Sequence, residues 1–289
     1  MTLRIVTDST ADIPLEFIER LHITVVPLVV LFGDEELQDG VDINSEKFFK
    51  RLVREAQLPT TSQPSVGAFR ATYEALLADG ATEILSIHLS SKLSKTIESA
   101  RQAAEAFPEA RIVLIDSRTS SLALGLGVIA AAEALQAGKS LDEIRALVED
   151  HFARTHIFIM VDTLEYLRRG GRIGRAQELI GSLLQFKPLL SITDGEVQPI
   201  GRARTKQKAL EELLRRAGDL RPFQEAMVVH ATTPDDLDYV VQRLHGMEPE
   251  MPITVGRITP VVGVHAGPGM IAFAVVSKGV SSAASPRAD

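Results

Sequence analysis

The sequence contains no cysteine, which excludes a disulfide framework, a thiol nucleophile and a thiolate metal site. It also has no excess of basic residues. Its formal net charge is −7, which argues against non-specific nucleic-acid binding. Charged residues interrupt the apolar runs well short of membrane-spanning length. Because the N-terminus enters a predicted strand directly, we expect no signal peptide and a cytoplasmic protein.

Several catalytic and cofactor signatures are also missing. The sequence has no Gly-x-Ser-x-Gly elbow, no Walker loop and no His-Glu-x-x-His pair. Its seven histidines are scattered, and none is paired at metal-ligand spacing. The dinucleotide-like string Gly-Leu-Gly-Val-Ile-Ala at residues 125–130 falls inside a helical pattern rather than at a strand-to-helix turn. We therefore predict neither a metal ion nor an organic cofactor.

What the sequence does contain is typical of a two-domain soluble protein. The chain has 289 residues, of which 45% are hydrophobic and 24% charged. In the first half, predicted strands alternate with helices, which indicates a parallel sheet with helices on both faces. We predict a Rossmann-like α/β domain over residues 1–155, a smaller α+β domain over residues 156–280, and a flexible tail over residues 281–289.

One stretch, residues 83–100, carries the clearest chemical signal. A predicted strand ends in a turn with hydroxyl groups at Ser90, Ser91 and Ser94, and a helix follows with Thr96 in its first turn. The unpaired N–H groups at a helix N-terminus favour anions, and hydroxyls add donors that can rotate toward a carboxylate or phosphate. Ordinary helix capping is the alternative, since Ser is a preferred N-cap. Three serines within five residues favour an anion site.

Two more predicted strands end in similar polar segments, at residues 8–10 and 116–121. In an open parallel sheet, ligands bind outside the carboxyl ends of the strands. We therefore expect these two segments and residues 90–94 to converge on one crevice.

Four predictions depend on short-range pattern alone. The apolar run over residues 23–32 favours one long buried strand, and the hydroxyl-rich residues 59–65 indicate a turn before a helix. Asp194-Gly195 predicts a β-hairpin in the second half. His265 is assigned to a loop in which glycines allow close backbone approach, and this makes it a candidate functional residue.

Taken together, six motifs of this sequence resemble the DegV family of bacterial fatty-acid-binding proteins. The resemblance runs in order from about residue 3 to residue 277 and implies two α/β domains with one fatty acid buried between them. The motifs are Asp8-Ser9-Thr10-Ala11-Asp12, Thr61-Ser62-Gln63-Pro64-Ser65, the stretch from His88 to Thr96, Gly170-Gly171-Arg172-Ile173, Ala203-Arg204-Thr205 and His265-Ala266-Gly267-Pro268-Gly269.

The resemblance also implies a role for particular residues. The fatty acid carboxylate is expected at Thr61, Ser94 and His265, with Ser62 and Ser91 in the same motifs. Characterised members of the family act as the lipid-carrying subunit of a fatty acid kinase, so the chain is expected to be a binding subunit and not an enzyme by itself. Its expected partner is an ATP-binding kinase subunit. The family usually has Gly where this chain has Lys95, which leaves the local turn geometry open.

Physical chemistry agrees with such a site. A fatty acid needs a long apolar tunnel with a few convergent donors at one end. Hydroxyls and a histidine suit a carboxylate that must later react, whereas a bidentate arginine would bind it tightly and mask its oxygens. Arg172 and Arg204 are then expected to contact the partner or the transferring phosphate.

Two other functions stay open from the sequence. A phosphosugar-binding enzyme would use the hydroxyl turn for phosphate and would need a carboxylate base, for which Glu98 is the near candidate. A serine hydrolase would combine Ser94 and His265 with an aspartate such as Asp8 or Asp116.

Overall fold

The structure is a computed structural model that describes residues 2–55, 57–180 and 186–279. The strands are β1 Leu3–Asp8, β2 Thr24–Val26, β3 Val29–Phe32, β4 Glu35–Gln38, β5 Thr60–Ser62, β6 Glu83–His88, β7 Arg111–Asp116, β8 Thr155–Met160, β9 Lys187–Thr193, β10 Glu196–Ala203, β11 Phe223–His230, β12 Ile253–Arg257 and β13 Ile271–Ser277. The helices are α1 Leu15–Arg20, α2 Ser45–Leu52, α3 Val66–Ala78, α4 Thr96–Ala104, α5 Ser121–Gln136, α6 Leu141–Arg154, α7 Glu165–Arg169, α8 Lys206–Gly218, α9 Pro234–Met247 and α10 Pro260–Ala266. Ser9–Ala11 and Gly174–Leu179 form 3-10 helices.

The first half forms a four-stranded sheet in the order β2-β1-β6-β7. All three strand pairings are parallel. Successive side chains of a strand point to opposite faces. Ile84 accordingly packs with α3 and α4, whereas Leu85 packs with α5 and α6. The predicted parallel sheet with helices on both faces is therefore confirmed.

A separate three-stranded sheet, in the order β4-β3-β5, corrects two local predictions. Residues 23–32 do not form one strand, because β2 ends before Pro27 and β3 begins after it in a different sheet. Proline lacks the N–H that a ladder requires, so the chain changes sheets there. Residues 60–62 form the strand β5, which pairs antiparallel with β3, instead of the predicted turn. A hydroxyl-rich segment carries little strand signal of its own, and the pairing partner decides its conformation.

The second half forms a mixed six-stranded sheet in the order β10-β9-β8-β13-β11-β12. The hairpin predicted at Asp194-Gly195 is present, because Thr193 pairs with Glu196 across the β9–β10 turn. One face of this sheet packs against α8 and α9. The first strand of the sheet begins at Thr155, next to the predicted domain boundary, which stays a prediction.

The largest apolar cluster of the described residues joins the two halves of the chain. It combines side chains of α2, β3 and α5 with side chains of β8, β9, β13 and α10. The other face of the six-stranded sheet therefore packs toward the first half of the chain. The predicted flexible tail over residues 281–289 lies outside the described residues.

Candidate functional site

A cavity opens within this shared core and is apolar along most of its wall. Its apolar side chains come from both halves of the chain, among them Leu28, Leu89, Ile159, Leu190, Val261 and Met270. Hydroxyl groups of Thr10, Ser94, Ser120 and Ser121 also line it. The three polar strand ends expected to converge therefore do meet at one cavity, because parallel strands place their carboxyl ends at the same edge.

Three predicted carboxylate ligands line the cavity, and each comes from a different element. Thr61 lies in the middle of β5, Ser94 lies in the turn between β6 and α4, and His265 lies in the last turn of α10. His265 is thus helical, and the loop predicted for it begins only at Gly267. A helix of seven residues, three of them valine and one glycine, carries too little helical signal to be distinguished from a loop by sequence.

The hydroxyl of Thr61 and the imidazole of His265 form one hydrogen-bonded pair, with Oγ1 2.9 Å from Nε2. The other ring nitrogen, Nδ1, is buried without a hydrogen-bond partner. An unpaired lone pair costs less than a buried N–H without an acceptor. The favoured tautomer therefore carries its hydrogen on Nε2 and donates to Thr61, which leaves the Thr61 hydroxyl hydrogen free for a ligand.

His265 is neutral over the physiological range. Burial lowers the pKa of His265 to about 4, and the nearby Arg172 guanidinium lowers it further as a smaller effect. Its position also depends on Gly170, because a Cβ on that residue would lie 2.1 Å from Nδ1. The sequence-based list of site residues did not include Gly170, although the motif that contains it was noted.

Ser94 is held by the turn that ends β6. Its backbone N–H donates to Ser90 O at 3.1 Å, and its side-chain Oγ lies 2.9 Å from Thr96 Oγ1. The Thr96 N–H also donates to Ser94 Oγ at 3.3 Å. Lys95 is exposed and has φ −89°, a conformation open to any residue. The lysine therefore fits this turn without strain, and its side chain faces solvent.

Arg172 joins the two halves of the chain at this end of the cavity. Its Nε donates to Leu93 O at 3.0 Å, and one terminal nitrogen donates to Gly170 O at 2.7 Å. Two acidic residues of the same region pair with other bases: Glu165 with Arg168 and Arg169, and Asp162 with Lys187. Arg172 is thus anchored on backbone carbonyls of the hydroxyl turn and of its own loop.

The remaining predicted site residues lie outside the cavity wall. Ser62 is exposed, with its hydroxyl donating to Gln63 O at 3.3 Å. The backbone N–H of Ser91 donates to the Asp116 carboxylate at 3.3 Å. Arg204 is exposed between β10 and α8. Their contacts with ligand or partner stay predictions.

The constellation needed by a serine hydrolase is not assembled among the described residues. Ser94 is bonded to Thr96, and His265 is bonded to Thr61. Asp8 bonds to His88, and Asp116 accepts from backbone N–H groups. The base considered for a phosphosugar enzyme is also engaged elsewhere, because Glu98 pairs with Arg101 on the outside of α4.

Two further properties of the described residues bear on other functions. No group of three or more His, Cys, Asp or Glu side chains in this part of the chain is arranged to hold a metal ion. No helix found there combines the length and the apolar character needed to cross a membrane.

Fold and cavity together define a two-domain α/β protein with an apolar cavity that is polar at one end. The chain belongs to the DegV family, whose model matches residues 2–278. A DegV domain-containing protein from Streptomyces coelicolor is 39% identical over 278 residues, which cover 95% of this chain and 98% of that protein.

Solved structures of similar proteins share the whole fold. A DegV family protein from Thermus thermophilus, described for its fatty acid binding, has 35% identity and a TM-score of 0.89, with 96% of this chain and 100% of that chain covered. A stearic acid-binding protein from Eubacterium ventriosum has 26% identity and a TM-score of 0.88, with 96% and 99% covered. The family and the fold class predicted from the sequence are confirmed.

Proposed function

We propose that this chain binds a long-chain fatty acid, with the acyl tail in the apolar cavity and the carboxylate at Thr61, Ser94 and His265. The observation that carries the proposal is the position of these three polar groups on the wall of a cavity that is otherwise mainly apolar. The similar proteins from Thermus thermophilus and Eubacterium ventriosum, described as binding fatty acid and stearic acid, support the same ligand class.

The fatty acid carboxylate would be bound by neutral hydrogen-bond donors. The Thr61 hydroxyl hydrogen is free when His265 donates to its oxygen, and the Ser94 hydroxyl can rotate from Thr96 toward a ligand. Each hydrogen bond to a charged carboxylate contributes about 1.5–3 kcal/mol. The guanidinium of Arg172 adds a positive charge nearby while its donors stay on Leu93 O and Gly170 O. The carboxylate oxygens would thus stay available for reaction.

The tail is held by burial of apolar surface. Transfer of each methylene group from water to an apolar wall contributes about 0.8 kcal/mol. The wall is built from both halves of the chain. We propose that residues 1–155 supply the hydroxyl donors of the carboxylate site, and that residues 156–280 supply His265 and close the tunnel. Ser62 and Ser91 would then act by shaping the two motifs rather than by touching the carboxylate.

Native mass spectrometry of the purified chain tests the ligand. We expect a co-purifying mass of a fatty acid in the wild type and loss of most of it in the double variant Thr61→Ala with Ser94→Ala. A matched control is Thr60→Ala, which changes an exposed hydroxyl on the same strand outside the cavity wall. Full fatty acid occupancy in the double variant would contradict the proposed site.

We also infer that the chain presents this carboxylate to an ATP-binding kinase partner that forms an acyl phosphate, in the cytoplasm where ATP is available. The support is the absence of a Walker loop from the sequence, the neutral head-group site and the family resemblance. Arg172 and Arg204 are the residues proposed to contact the partner or the phosphate. The purified chain with fatty acid and ATP should form no acyl phosphate until the kinase subunit is added. Turnover by the chain alone would contradict this.

A further inference from the structure

Ser90 is the first hydroxyl of the turn predicted as an anion site, and its side chain is engaged elsewhere. Its Oγ donates to Gly195 O at 2.8 Å and accepts from the Lys92 N–H at 3.2 Å. The residue is 1% exposed and lies outside the wall of the fatty acid cavity. The Ser90 hydroxyl therefore does not serve an anion, and instead it joins the hydroxyl turn to the second half of the chain.

Gly195 lies at the tip of the β9–β10 hairpin and is in close contact with Ser90. It has φ +83°, and a Cβ at this position would lie 2.5 Å from Ser90 Oγ. Gly195 is buried, although its neighbour Asp194 in the same turn is exposed. The contact thus requires glycine for two reasons, because of the positive φ and because Ser90 occupies the space that a side chain would need.

Exposed ion pairs flank this buried contact. Arg118 Nη2 lies 2.9 Å from Asp194 Oδ1, and Lys92 Nζ lies 3.2 Å from Glu196 Oε1. Ion pairs as exposed as these contribute little to stability. Each of them nevertheless joins a residue of the first half to a residue of the hairpin turn. The hairpin tip is therefore docked over several residues, and the buried hydrogen bond of Ser90 is the stronger component.

The docked tip lies directly beyond part of the cavity wall. Ile192 and Val197 line the cavity, and they are the second cross-strand pair from the turn. Leu89 and Leu93, which lie on either side of Ser90 in the sequence, line the same cavity from the first half of the chain. The contact at the hairpin tip therefore holds together two segments of wall that come from opposite halves.

The same turn is tied to the second half at its other end, where Arg172 Nε donates to Leu93 O. Release of a tail enclosed between the two halves requires the wall segments to move apart. Arg172 is partly exposed, whereas Ser90 is buried. The contact between Ser90 and Gly195 is thus the buried contact that such an opening would break.

We propose that Ser90 is a positioning residue of the fatty acid site. By holding Gly195 at the tip of the β9–β10 hairpin, it keeps the cavity wall closed and slows release of the bound lipid. Ser90 does not touch the lipid in this role. The inference rests on the proposed function for its effect on fatty acid release, whereas the docking of the hairpin does not.

Gly195→Ala and Gly33→Ala are matched variants. Both glycines lie in hairpin turns with positive φ, at +83° and +62°, but an added Cβ at Gly33 meets nothing within 4 Å. Release of a fluorescent long-chain fatty acid from each full-length protein into excess unlabelled fatty acid is followed by stopped flow. Gly195→Ala should release it about tenfold faster than the wild type, because overpacking disfavours the docked hairpin. Gly33→Ala should release it at the wild-type rate. A wild-type rate in Gly195→Ala, or equal acceleration in both variants, would overturn the proposal.

A second substitution tests whether Ser90 is the cause. When Ser90→Ala is added to Gly195→Ala, the atoms nearest to the new Cβ are Lys92 Cδ at 3.5 Å and the Cβ of residue 90 at 3.6 Å. The double variant should therefore release the lipid more slowly than Gly195→Ala, even though it lacks the hydrogen bond. General destabilisation would not produce this rescue, so an equally fast or faster double variant would contradict the role of Ser90.

Cross-linking measures the docked hairpin without lipid. A carbodiimide condenses the Lys92 amine and the Glu196 carboxylate, which lie 3.2 Å apart, into an amide. Mass spectrometry should find the linked peptides in the wild type and in Gly33→Ala, in lower yield in Gly195→Ala, and not in Glu196→Gln. If no protein binds the fatty acid, the proposed function fails while this yield still tests the hairpin. Absence of the cross-link from the wild type, or an undiminished yield in Gly195→Ala, would overturn the docking.

Discussion

His88 and His265 both lie among hydroxyl side chains, yet their hydrogen bonding differs. His88 is fully buried, with Nδ1 3.0 Å from Asp8 Oδ2 and Nε2 2.7 Å from Ser86 Oγ. Ser86 Oγ is also hydrogen-bonded to the Tyr73 hydroxyl, at 2.8 Å. His265 has one bonded nitrogen and one that is buried without a partner. The first network is complete within the protein, whereas the second retains hydrogen-bonding capacity beside a cavity.

The difference in hydrogen bonding indicates which of the two histidines lies at a ligand site. A satisfied buried network specifies and stabilises a core, and removal of one member leaves its neighbours unpaired. When His265 donates to Thr61, the Thr61 hydroxyl hydrogen stays unused beside an apolar cavity, and no described contact gives it a structural purpose. His88 ends the strand β6, and both of its ring nitrogens contact polar side chains.

The largest effect is expected from a substitution that removes His88 from its complete hydrogen-bond network. His88→Ala should destabilise the protein by about 3–5 kcal/mol, because removal of a fully buried ring leaves a cavity and because Asp8 and Ser86 each lose a hydrogen-bond partner. The free energy of unfolding in urea measures the loss, with His245→Ala on the exposed side of α9 as a control. A change below about 1 kcal/mol would mean that His88 is not a structural residue.

The next effect sharpens the contrast by displacing His265 without removing it. Gly170→Ala places a Cβ against the imidazole, and overpacking of this kind costs about 1–3 kcal/mol. We expect weaker fatty acid binding together with this loss of stability. Gly171→Ala is not a matched control because of its positive φ, so Gly246→Ala, where an added Cβ meets nothing within 4 Å, serves instead. Unchanged fatty acid affinity in Gly170→Ala would mean that the position of His265 does not matter for fatty acid binding.

Direct removal of His265 should affect binding more than folding. His265→Gln should weaken fatty acid binding about tenfold, which corresponds to about 1.4 kcal/mol. The folded imidazole stays neutral down to about pH 4, whereas the unfolded one is protonated below about 6.5. Wild-type stability should therefore decline as the pH falls between these values, and this component should be absent from the variant. If the melting temperatures of the wild type and His265→Gln fell equally over this pH range, the lowered pKa of His265 would be refuted.

The smallest effect concerns Arg172. Arg172→Ala should cost about 1 kcal/mol of stability, because two backbone carbonyls lose a donor at a partly exposed position. Fatty acid binding should persist, and acyl phosphate formation with the kinase partner should be lost. Arg172→Lys should also be impaired in the coupled assay, since a point charge cannot reproduce the planar fork. Normal phosphorylation by both variants would leave Arg172 with a purely structural role.

Much of this molecule follows from sequence patterns that depend on local physics. Strand-helix alternation and the Asp194-Gly195 turn indicated the parallel sheet and the hairpin, and both are present. The convergence of Thr10, Ser94 and Ser121 on one cavity also followed from the rule for parallel sheets. These features depend on short periods or on topology, which a sequence displays directly.

Other features depend on contacts that no local pattern displays. The strand at residues 60–62 exists because β3 offers it a partner. The short helix α10 is held at its beginning by Asp12, which lies 247 residues before Thr259. Tertiary contacts override local preference at each of these places.

The proposed fatty acid site is tested most directly by a crystal structure of the full chain with a fatty acid that carries bromine at the end of its tail. We expect the carboxylate within hydrogen-bond distance of the Thr61 and Ser94 hydroxyls, and bromine in the apolar cavity bounded by Ile159 and Leu190. Anomalous scattering places the bromine independently of the fit to the rest of the ligand. Bromine beside His265, or a carboxylate bound outside this cavity, would contradict it.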